Sequence, residues 1–284
     1  MSEYQYYEFL AIDRPLDEDA RAVVRSLSTR AAITATSFVN EYHWGDFKGD
    51  PEWLMERYYD AHLYAANWGT RRVMFRLPSD RLDPDVAEDY CVGYQVTARA
   101  AGDFLVLAFT SEDEPDEFDD DHTASLSAIA GVRTELAAGD LRPLYLAWLA
   151  AYGTWERDED AFDRESDDDL EPPVPPGLRT LTAAQRALAD FLRLDDDLLE
   201  TAAETSPPLE VVTGDVTAWV AQLPATEKTH LLTRVLNGDA ARVRWELLHR
   251  FRGHSTAAIP PRRTAGDLLD TAARRRTTRP PQDF

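Results

Sequence analysis

The chain of 284 residues carries 52 acidic and 30 basic side chains, which gives a net charge of −22 at pH 7. A chain this acidic repels phosphate backbones and anionic membranes at long range, so plain electrostatic binding to nucleic acid or membrane is disfavoured. With 44% hydrophobic residues it can bury a sizeable core, and its single cysteine, Cys91, excludes an internal disulfide and a cysteine-based zinc cluster.

The first 111 residues predict alternating strands and helices. Residues 4–12 and 31–42 are rich in aromatic and β-branched side chains, which favour strands. Between them, apolar residues recur at helical spacing after Asp17, a candidate N-cap residue. Further strands are predicted at residues 71–77 and in a hairpin at residues 93–111.

Residues 50–68 predict a second helix. Asp50 and Pro51 are typical of a helix start, and Gly69 is typical of a helix end. Apolar residues recur at helical spacing at Leu54, Tyr58, Ala61, Ala65 and Trp68, flanked by Met55, Tyr59, His62 and Ala66. We therefore expect His62 and the neighbouring tyrosines to point inward and to hold this helix onto a sheet.

These elements predict an α+β fold in which two helices pack on a mainly antiparallel sheet, an order compatible with a ferredoxin-like arrangement. An all-α region is expected to follow, with a Thr182–Gln185 capping box at the start of its second part. The predicted units are an α+β domain at 1–111, an acidic loop at 112–121, a helical segment at 122–155, an acidic and proline-rich linker at 156–181, a helical domain at 182–276 and a disordered tail at 277–284.

The loop between residues 43 and 50 offers the best candidates for an enzyme site. His43, Asp46, Asp50 and His62 are the side chains that an acid–base pair or a metal site requires, provided that they converge. Their spacing matches no metal motif, and Gly45 beside Asp46 is ordinary turn chemistry. The simpler interpretation is a loop that joins a strand to a helix and caps it.

Two other patterns have a functional and a structural interpretation. The aromatic residues of the first strand, Tyr4, Tyr6, Tyr7 and Phe9, resemble a base-stacking surface, but the basic groove that such a surface needs is lacking, so core packing is favoured. The acidic runs lack the glycine and final glutamate of an EF-hand loop, so we interpret them as solvated loops. A basic partner, or the chain's own arginines, is the alternative target for these runs.

The C-terminal region is rich in arginine and predicts a basic amphipathic helix. Such a helix is suited to docking a protein, a membrane or a nucleic acid, although the last helix of a bundle has the same pattern. The candidate partner-binding residues are Arg242, Arg244, Arg250, Arg252, Arg274, Arg275 and Arg276.

The segments YQYYEFLAIDRPL, TSFVNEYHWGDFKGDP, MERYYDAHLYAANWGTR and MFRLP resemble an uncharacterised family of bacterial hypothetical proteins. The resemblance covers about the first third of the chain. It implies a bacterial protein without an assigned activity, so it identifies no catalytic residue.

We expect a non-enzymatic, cytoplasmic adaptor or regulatory protein that docks a protein partner. The chain lacks the P-loop, G-x-S-x-G, H-E-x-x-H and G-x-G-x-x-G motifs, so no cofactor or metal is expected, and its start lacks the pattern of a signal peptide. Acidic residues near Cys91 are expected to raise its pKa, which argues against a thiolate nucleophile. The alternatives are an enzyme with its site at residues 43–62 and a nucleic-acid-associated protein that uses the C-terminal arginines.

Overall fold

The computed structural model describes residues 3–113, 125–153, 168–209, 215–251 and 262–278. Within these residues the chain forms a seven-stranded sheet. Its strands are β1 (Gln5–Leu10), β2 (Ala32–Ile33), β3 (Ser37–Tyr42), β4 (Ala61–Ala66), β5 (Arg71–Pro78), β6 (Val96–Ala101) and β7 (Phe104–Ser111).

Some helices lie between strands along the chain, and the others follow the last strand. Those interleaved with the strands are α1 (Glu18–Leu27), α2 (Pro51–Arg57) and α3 (Pro84–Glu88). Those after the sheet are α4 (Leu126–Ile129), α5 (Gly131–Ala137), α6 (Arg142–Gly153), α7 (Ala183–Phe191), α8 (Asp196–Ala203), α9 (Val216–Gln222), α10 (Ala225–Leu236), α11 (Ala240–Phe251) and α12 (Ala265–Thr278).

The strand order is β2-β3-β1-β4-β5-β7-β6, and within the described residues every pairing in it is antiparallel. The predicted α+β class with a mainly antiparallel sheet is therefore confirmed. A βαβ crossover of the ferredoxin type places two strands in parallel. The first part of the chain follows this pattern, because its elements run β1-α1-β2-β3-α2-β4 and its strands lie in the order β2-β3-β1-β4. Thus β1 is parallel to β2 with β3 between them, β3 is parallel to β4 with β1 between them, and α1 and α2 contribute to one core cluster. This is the ferredoxin-like arrangement, and β5, β7 and β6 extend its sheet beyond β4.

Helix starts follow the local chemistry that the sequence indicated. The Asp17 carboxylate accepts a hydrogen bond from the Ala20 amide at 2.8 Å, and α1 begins at the next residue. At α7, Thr182 and Gln185 form both hydrogen bonds of the predicted capping box. These caps satisfy amide groups that have no partner inside their helices.

The predicted helix at 50–68 is wrong in its second half. Asp50 caps α2 as expected, but the helix ends at Arg57, and residues from Ala61 onwards form strand β4. The apolar residues of this segment fit both the period of a helix and the two-residue period of a strand. A short apolar run does not distinguish the two structures. Pairing with β1 on one side and β5 on the other gives β4 two ladders of hydrogen bonds, and these long-range contacts decide its conformation.

The sheet buries side chains on both faces. Under α1 and α2, ring contacts join a cluster that we call the aromatic floor, formed by Phe9, Phe38, Phe47, Tyr59 and His62. His62 and the tyrosine beside the strand thus point inward as predicted, although from a strand and the turn before it rather than from a helix.

On the opposite face, Leu63, Phe75 and Phe109 belong to one apolar core with residues from the helices after the sheet, including Leu136 of α5 and Leu188 of α7. Helices α6, α8 and α12 contribute to the same core. The described residues of the predicted helical segment at 122–155, and part of the predicted helical domain at 182–276, are therefore packed on the sheet.

The region predicted as a linker at 156–181 contains packed residues in its described part, which begins at residue 168. Leu170 forms an isolated β-bridge with Thr264, and Glu171 is buried. Residues 154–167 lie outside the described residues, as does the predicted acidic loop at 112–121 from residue 114 onwards. Helix α12 continues to Thr278, two residues into the predicted tail at 277–284, and residues 279–284 are not described.

Candidate functional site

One end of the sheet is bordered by aromatic side chains that we call the aromatic rim. The antiparallel register brings together the start of β1, the end of β3, the β4–β5 turn and the start of β6. The rim residues at these positions are Tyr4, His43, Trp44, Trp68 and Tyr94. From β3 to β6 there are five strand spacings, so the rim extends over about 24 Å at ~4.8 Å per spacing.

Direct contacts connect neighbouring parts of the rim. The His43 ring centroid lies 5.4 Å from that of Tyr4 and 6.5 Å from that of Trp44. The Tyr4 amide donates to the Asn67 side-chain oxygen at 3.0 Å, and the Asn67 amide donates to the Tyr4 carbonyl at 3.0 Å. These bonds fix the β4–β5 turn, with Trp68 in it, against the start of β1.

Three of the rim residues expose a large fraction of their aromatic side chains to solvent. Relative exposure is 69% for Trp44, 59% for Tyr94 and 42% for Trp68. Scattered exposed apolar residues are common, whereas a contiguous exposed group marks an interaction site. The rim residues share one end of the sheet, where Tyr4, His43 and Trp44 are in direct ring contact and Trp68 and Tyr94 lie further along the same end.

Glycine turns present the exposed rim residues. Gly45, Gly69 and Gly93 adjoin Trp44, Trp68 and Tyr94 in the sequence, and their φ angles are 74°, 99° and 45°. Such angles strain other residue types, so these turns depend on glycine. The sequence analysis missed the rim, although three aromatic residues next to glycine at strand ends were a visible signal.

A guanidinium group already lies on one rim ring. The Cζ atom of Arg30 is 5.6 Å from the Trp44 ring centroid, within the range of a cation–π contact. Both side chains are exposed. Trp44 is therefore placed so that it holds a cation at the protein surface.

Beside the rim, a hydrogen-bonded polar group contains one of the predicted catalytic residues. Gln5 Nε2 donates to Asp46 Oδ1 at 3.0 Å, and Gln5 Oε1 accepts from the hydroxyls of Tyr7 at 2.8 Å and Tyr64 at 3.4 Å. Burial raises the pKa of Tyr64 to about 12 and that of Tyr7 further. Both phenols stay protonated at neutral pH, and Asp46 binds a neutral amide.

His62 is completely buried in the aromatic floor. Its ring stacks on Phe9 with centroids 3.9 Å apart, and its Nδ1–H donates to the Glu8 carbonyl oxygen at 2.9 Å. Burial lowers the pKa of His62 to about 3, although the hydrogen bond to Glu8 opposes this shift. The imidazole is therefore neutral at pH 7, and its Nε2 has no hydrogen-bond partner among the described residues.

The other two predicted catalytic residues lie apart from His62. His43 is exposed in the rim, against Tyr4. The Asp50 carboxylate accepts a hydrogen bond from the Glu52 amide at 2.9 Å and so caps α2. Of the four predicted residues, Asp46 belongs to the polar group beside the rim and His43 to the rim itself. Asp50 caps a helix and His62 lies in the interior, so the four do not form one site.

The buried charged side chains of the sheet pair with side chains of opposite charge. Asp60 Oδ1 accepts from Arg76 Nη2 at 2.8 Å, and Asp60 Oδ2 accepts from the amides of Ile12 at 2.6 Å and Asp13 at 2.9 Å. Arg133 of α5 donates to the Asp13 carboxylate through Nη1 at 2.8 Å, and also to the Arg76 carbonyl at 2.7 Å. These bonds tie the helices after the sheet to its strands, and removal of one partner of such a buried pair strongly destabilises the fold because it leaves a buried charge without compensation.

A second buried carboxylate joins the two ends of the helical region. Arg263 donates to Glu171 through Nε at 2.9 Å and through Nη2 at 2.7 Å, and the Tyr145 hydroxyl also donates to Glu171. Burial raises the pKa of Tyr145, with Glu171 adding to the shift, so this phenol stays neutral. The group fastens α12 to α6.

Several of the predicted partner-binding arginines pair with carboxylates of the same chain. Arg242 of α11 contacts Asp85 at 3.0 Å, and Arg250 contacts Glu227 at 2.6 Å. In α12, Arg276 contacts Asp195 at 3.1 Å.

The remaining arginines of this set also have intramolecular contacts, apart from Arg252, which lies outside the described residues. Arg275 contacts Glu200 at 3.0 Å and also pairs with Glu204. Arg244 and Arg274 donate to main-chain carbonyls at 3.2 Å and 3.1 Å. The described arginines of this set are spread over α11 and α12, and each has an intramolecular contact.

Other site types have little support in the described part of the chain. There, no group of three His, Cys, Asp or Glu side chains is placed to hold a metal ion, and no helix is both long and apolar enough to cross a bilayer. The Cys91 thiol is half-buried, and burial is the main cause that raises its pKa, with Glu88 adding to it. The direction of the pKa shift and the contribution of a neighbouring carboxylate agree with the expectation, and burial is the larger cause.

Comparison with known proteins gives no family assignment. No family model, no curated protein and no solved structure matches this chain.

Proposed function

We propose that this protein is a non-enzymatic interaction protein that docks a protein partner at the aromatic rim. The observation that supports this proposal is the exposure of Trp44, Trp68 and Tyr94 at the same end of the sheet. Tryptophan and tyrosine are enriched at the energetically dominant centres of protein interfaces.

The size and rigidity of the rim suit this role. Its length of about 24 Å is similar to the width of a patch of about 800 Å², which is one partner's share of an ordinary interface. Rim residues stand on strand ends and glycine turns that are held by hydrogen bonds, such as the two between Tyr4 and Asn67. A rigid surface loses little conformational entropy when a partner binds.

The positions of the predicted catalytic residues favour binding over catalysis. His62 is neutral in the interior, and Asp50 caps a helix. Binding to a phosphate backbone depends on positively charged side chains. Because Arg242, Arg250 and Arg276 already pair with carboxylates, we favour docking of a protein at the rim over nucleic-acid association.

The proposal is tested by affinity capture with matched variants. Wild-type protein, a rim variant (Trp44→Ser, Trp68→Ser, Tyr94→Ser) and a control variant (Leu232→Ser, Leu236→Ser) are immobilised and exposed to a lysate of the source cells. Leu232 and Leu236 are exposed apolar residues of α10, so the control also removes surface hydrophobicity. Quantitative mass spectrometry then compares the proteins retained by each form.

Proteins retained by the wild type and the control variant, but lost from the rim variant, are the expected result. Equal retention by all three forms contradicts docking at the rim. Circular dichroism of each variant checks that the fold is kept.

A further inference from the structure

The chemistry around Trp44 indicates what kind of segment fits the rim. We propose that the rim binds an arginine-rich segment of a partner protein, whose guanidinium groups stack on the exposed aromatic rings. This inference rests on the proposed function and specifies the partner of the same surface. Its geometric basis is the position of Arg30, whose guanidinium carbon lies 5.6 Å from the Trp44 ring centroid.

The contact between Arg30 and Trp44 is an internal example of the recognition. Both side chains are exposed, so the ring attracts a guanidinium group in the presence of water. Guanidinium groups are planar and weakly hydrated, and they stack on tryptophan more readily than ammonium groups do. Trp68 and Tyr94 present further exposed rings along the same end of the sheet.

Carboxylates beside the rim supply the complementary charge. The Tyr94 hydroxyl donates to Glu112 Oε2 at 2.9 Å, which holds a carboxylate next to this ring. Exposed Glu41 and Asp46 flank the two rim residues that follow β3. Glu112 and Asp113 follow the last residue of β7 at this end of the sheet, so negative charge lies near the rim.

Two arginines also lie at this end of the sheet, and their contacts are directed into the fold. Arg193 Nη1 donates to the Gly69 carbonyl at 2.8 Å, and Arg71 Nη1 donates to the Phe191 carbonyl at 3.3 Å. The first bond fastens the β4–β5 turn beside Trp68. These arginines therefore support the rim from the side of the helices.

Arg30 has a distinct role in this arrangement, because it occupies the ring that a partner's arginine uses. A partner must displace Arg30 from Trp44 or share the ring with it, and Arg30 also repels an incoming cation. Removing Arg30 is therefore expected to strengthen binding, whereas removing Trp44 weakens it. Misfolding would weaken binding in both variants, and a change in charge acts only in Arg30→Ala, so weaker binding of Trp44→Ala is the result that separates ring stacking from charge.

The test uses fluorescence anisotropy with a labelled peptide of nine arginines, at physiological salt, on the full chain. The comparison ligands are peptides of nine lysines and nine glutamates and a single-stranded RNA of ten nucleotides. The protein variants are Trp44→Ala, a triple variant (Trp44→Ala, Trp68→Ala, Tyr94→Ala), Arg30→Ala and the control Leu232→Ala.

The arginine peptide is expected to bind more tightly than the lysine peptide, and the glutamate peptide and RNA are not expected to bind. Trp44→Ala should weaken arginine-peptide binding about 3- to 5-fold, in line with an exposed cation–π contact, and the triple variant about 10-fold or more. Arg30→Ala should tighten binding about 2-fold or more, because it frees the ring and removes a repelling charge. Leu232→Ala should leave the affinity unchanged.

Equal binding of arginine and lysine peptides with no effect of the rim variants overturns the inference, since it indicates attraction to the acidic runs alone. Binding of RNA in preference to the arginine peptide also overturns it. If the rim variant loses proteins in the affinity capture but arginine peptide does not bind, the proposed function stands and this inference fails. If the rim variant loses nothing in either experiment, both fail.

Discussion

Aromatic side chains fill the interior of one sheet face and also lie exposed at the end of the same sheet. In the aromatic floor, Phe9 and Tyr59 are fully buried, with ring centroids 5.2 Å apart. In the aromatic rim, Trp44 is 69% exposed and has a charged side chain as its neighbour. The floor holds α1 and α2 on the sheet, whereas burial contributes little at Trp44.

The same short part of the chain supplies members of both groups, and the strand register separates them. His43 follows the last residue of β3 and is exposed, whereas His62 is the second residue of β4 and is opposite Phe9 of β1. Residue type alone therefore does not assign a role here. For these two histidines, the position inside a strand paired on both sides leads to packing, and the position just beyond the end of β3 leads to the surface.

The largest difference between floor and rim is expected on truncation of Phe9. Phe9→Ala leaves a cavity among Phe38, Tyr59 and His62, and a buried phenylalanine replaced by alanine loses about 3–5 kcal/mol of unfolding free energy. Urea unfolding followed by circular dichroism measures this loss. Phe9→Leu, which keeps most of the volume, should lose about 1.5 kcal/mol or less. A loss below about 1 kcal/mol for Phe9→Ala contradicts a tightly packed floor.

A smaller effect is expected from acid acting on His62. The unfolded chain binds a proton on this residue near pH 6.5 and the native chain only near pH 3, so stability is lost as the pH falls through this interval. Between pH 7 and pH 5 the loss from His62 is about 2 kcal/mol. His62→Phe should remove this part of the pH dependence.

Urea unfolding at pH 7, 6 and 5 measures the contribution of His62. The matched control is His43→Gln, which removes an exposed histidine of the rim and should keep the wild-type loss of stability between pH 7 and 5. Identical slopes for the wild type and His62→Phe contradict a buried, neutral His62.

Local parts of this fold follow directly from the sequence. The hairpin turn at Gly102, the caps at Asp17 and Asp50 and the Thr182–Gln185 capping box depend on residues that are neighbours in the chain. Each is fixed by turn or capping chemistry, which acts over a few residues. For this reason these features are predictable without knowledge of the sheet.

The strand β4 and the aromatic rim depend on distant residues instead. The alternation of Ala61, Leu63 and Ala65 becomes meaningful only when β1 and β5 pair with this segment, and a helical pattern fits the same letters. The rim likewise exists because Tyr4 is brought beside both His43 and Asn67. Tryptophan–glycine pairs indicate exposed turns, but only the register shows that the turns meet.

The glycine turns of the rim provide a third, smaller effect. Gly45 has a φ of 74°, and a Cβ atom built on it meets no other atom within 4 Å, so Gly45→Ala is strained by its backbone angle alone. We expect a loss of about 1 kcal/mol of unfolding free energy, and a smaller loss for Gly45→Asn, because asparagine tolerates this conformation better. Urea unfolding of both variants measures this. Equal losses for alanine and asparagine contradict an effect of the backbone angle.

The smallest effect on stability is expected from truncation of Trp68. This residue stands in the β4–β5 turn with 42% of its surface exposed, and surface substitutions of this kind usually change the unfolding free energy by about 0.5 kcal/mol or less. Urea unfolding of Trp68→Ala beside Phe9→Ala makes the comparison between rim and floor under identical conditions. A loss above about 2 kcal/mol would place Trp68 in the folded core and remove it from the docking surface. A negligible loss together with weaker partner binding separates the two groups of aromatic residues by function, because Trp68 then contributes to recognition without contributing to folding.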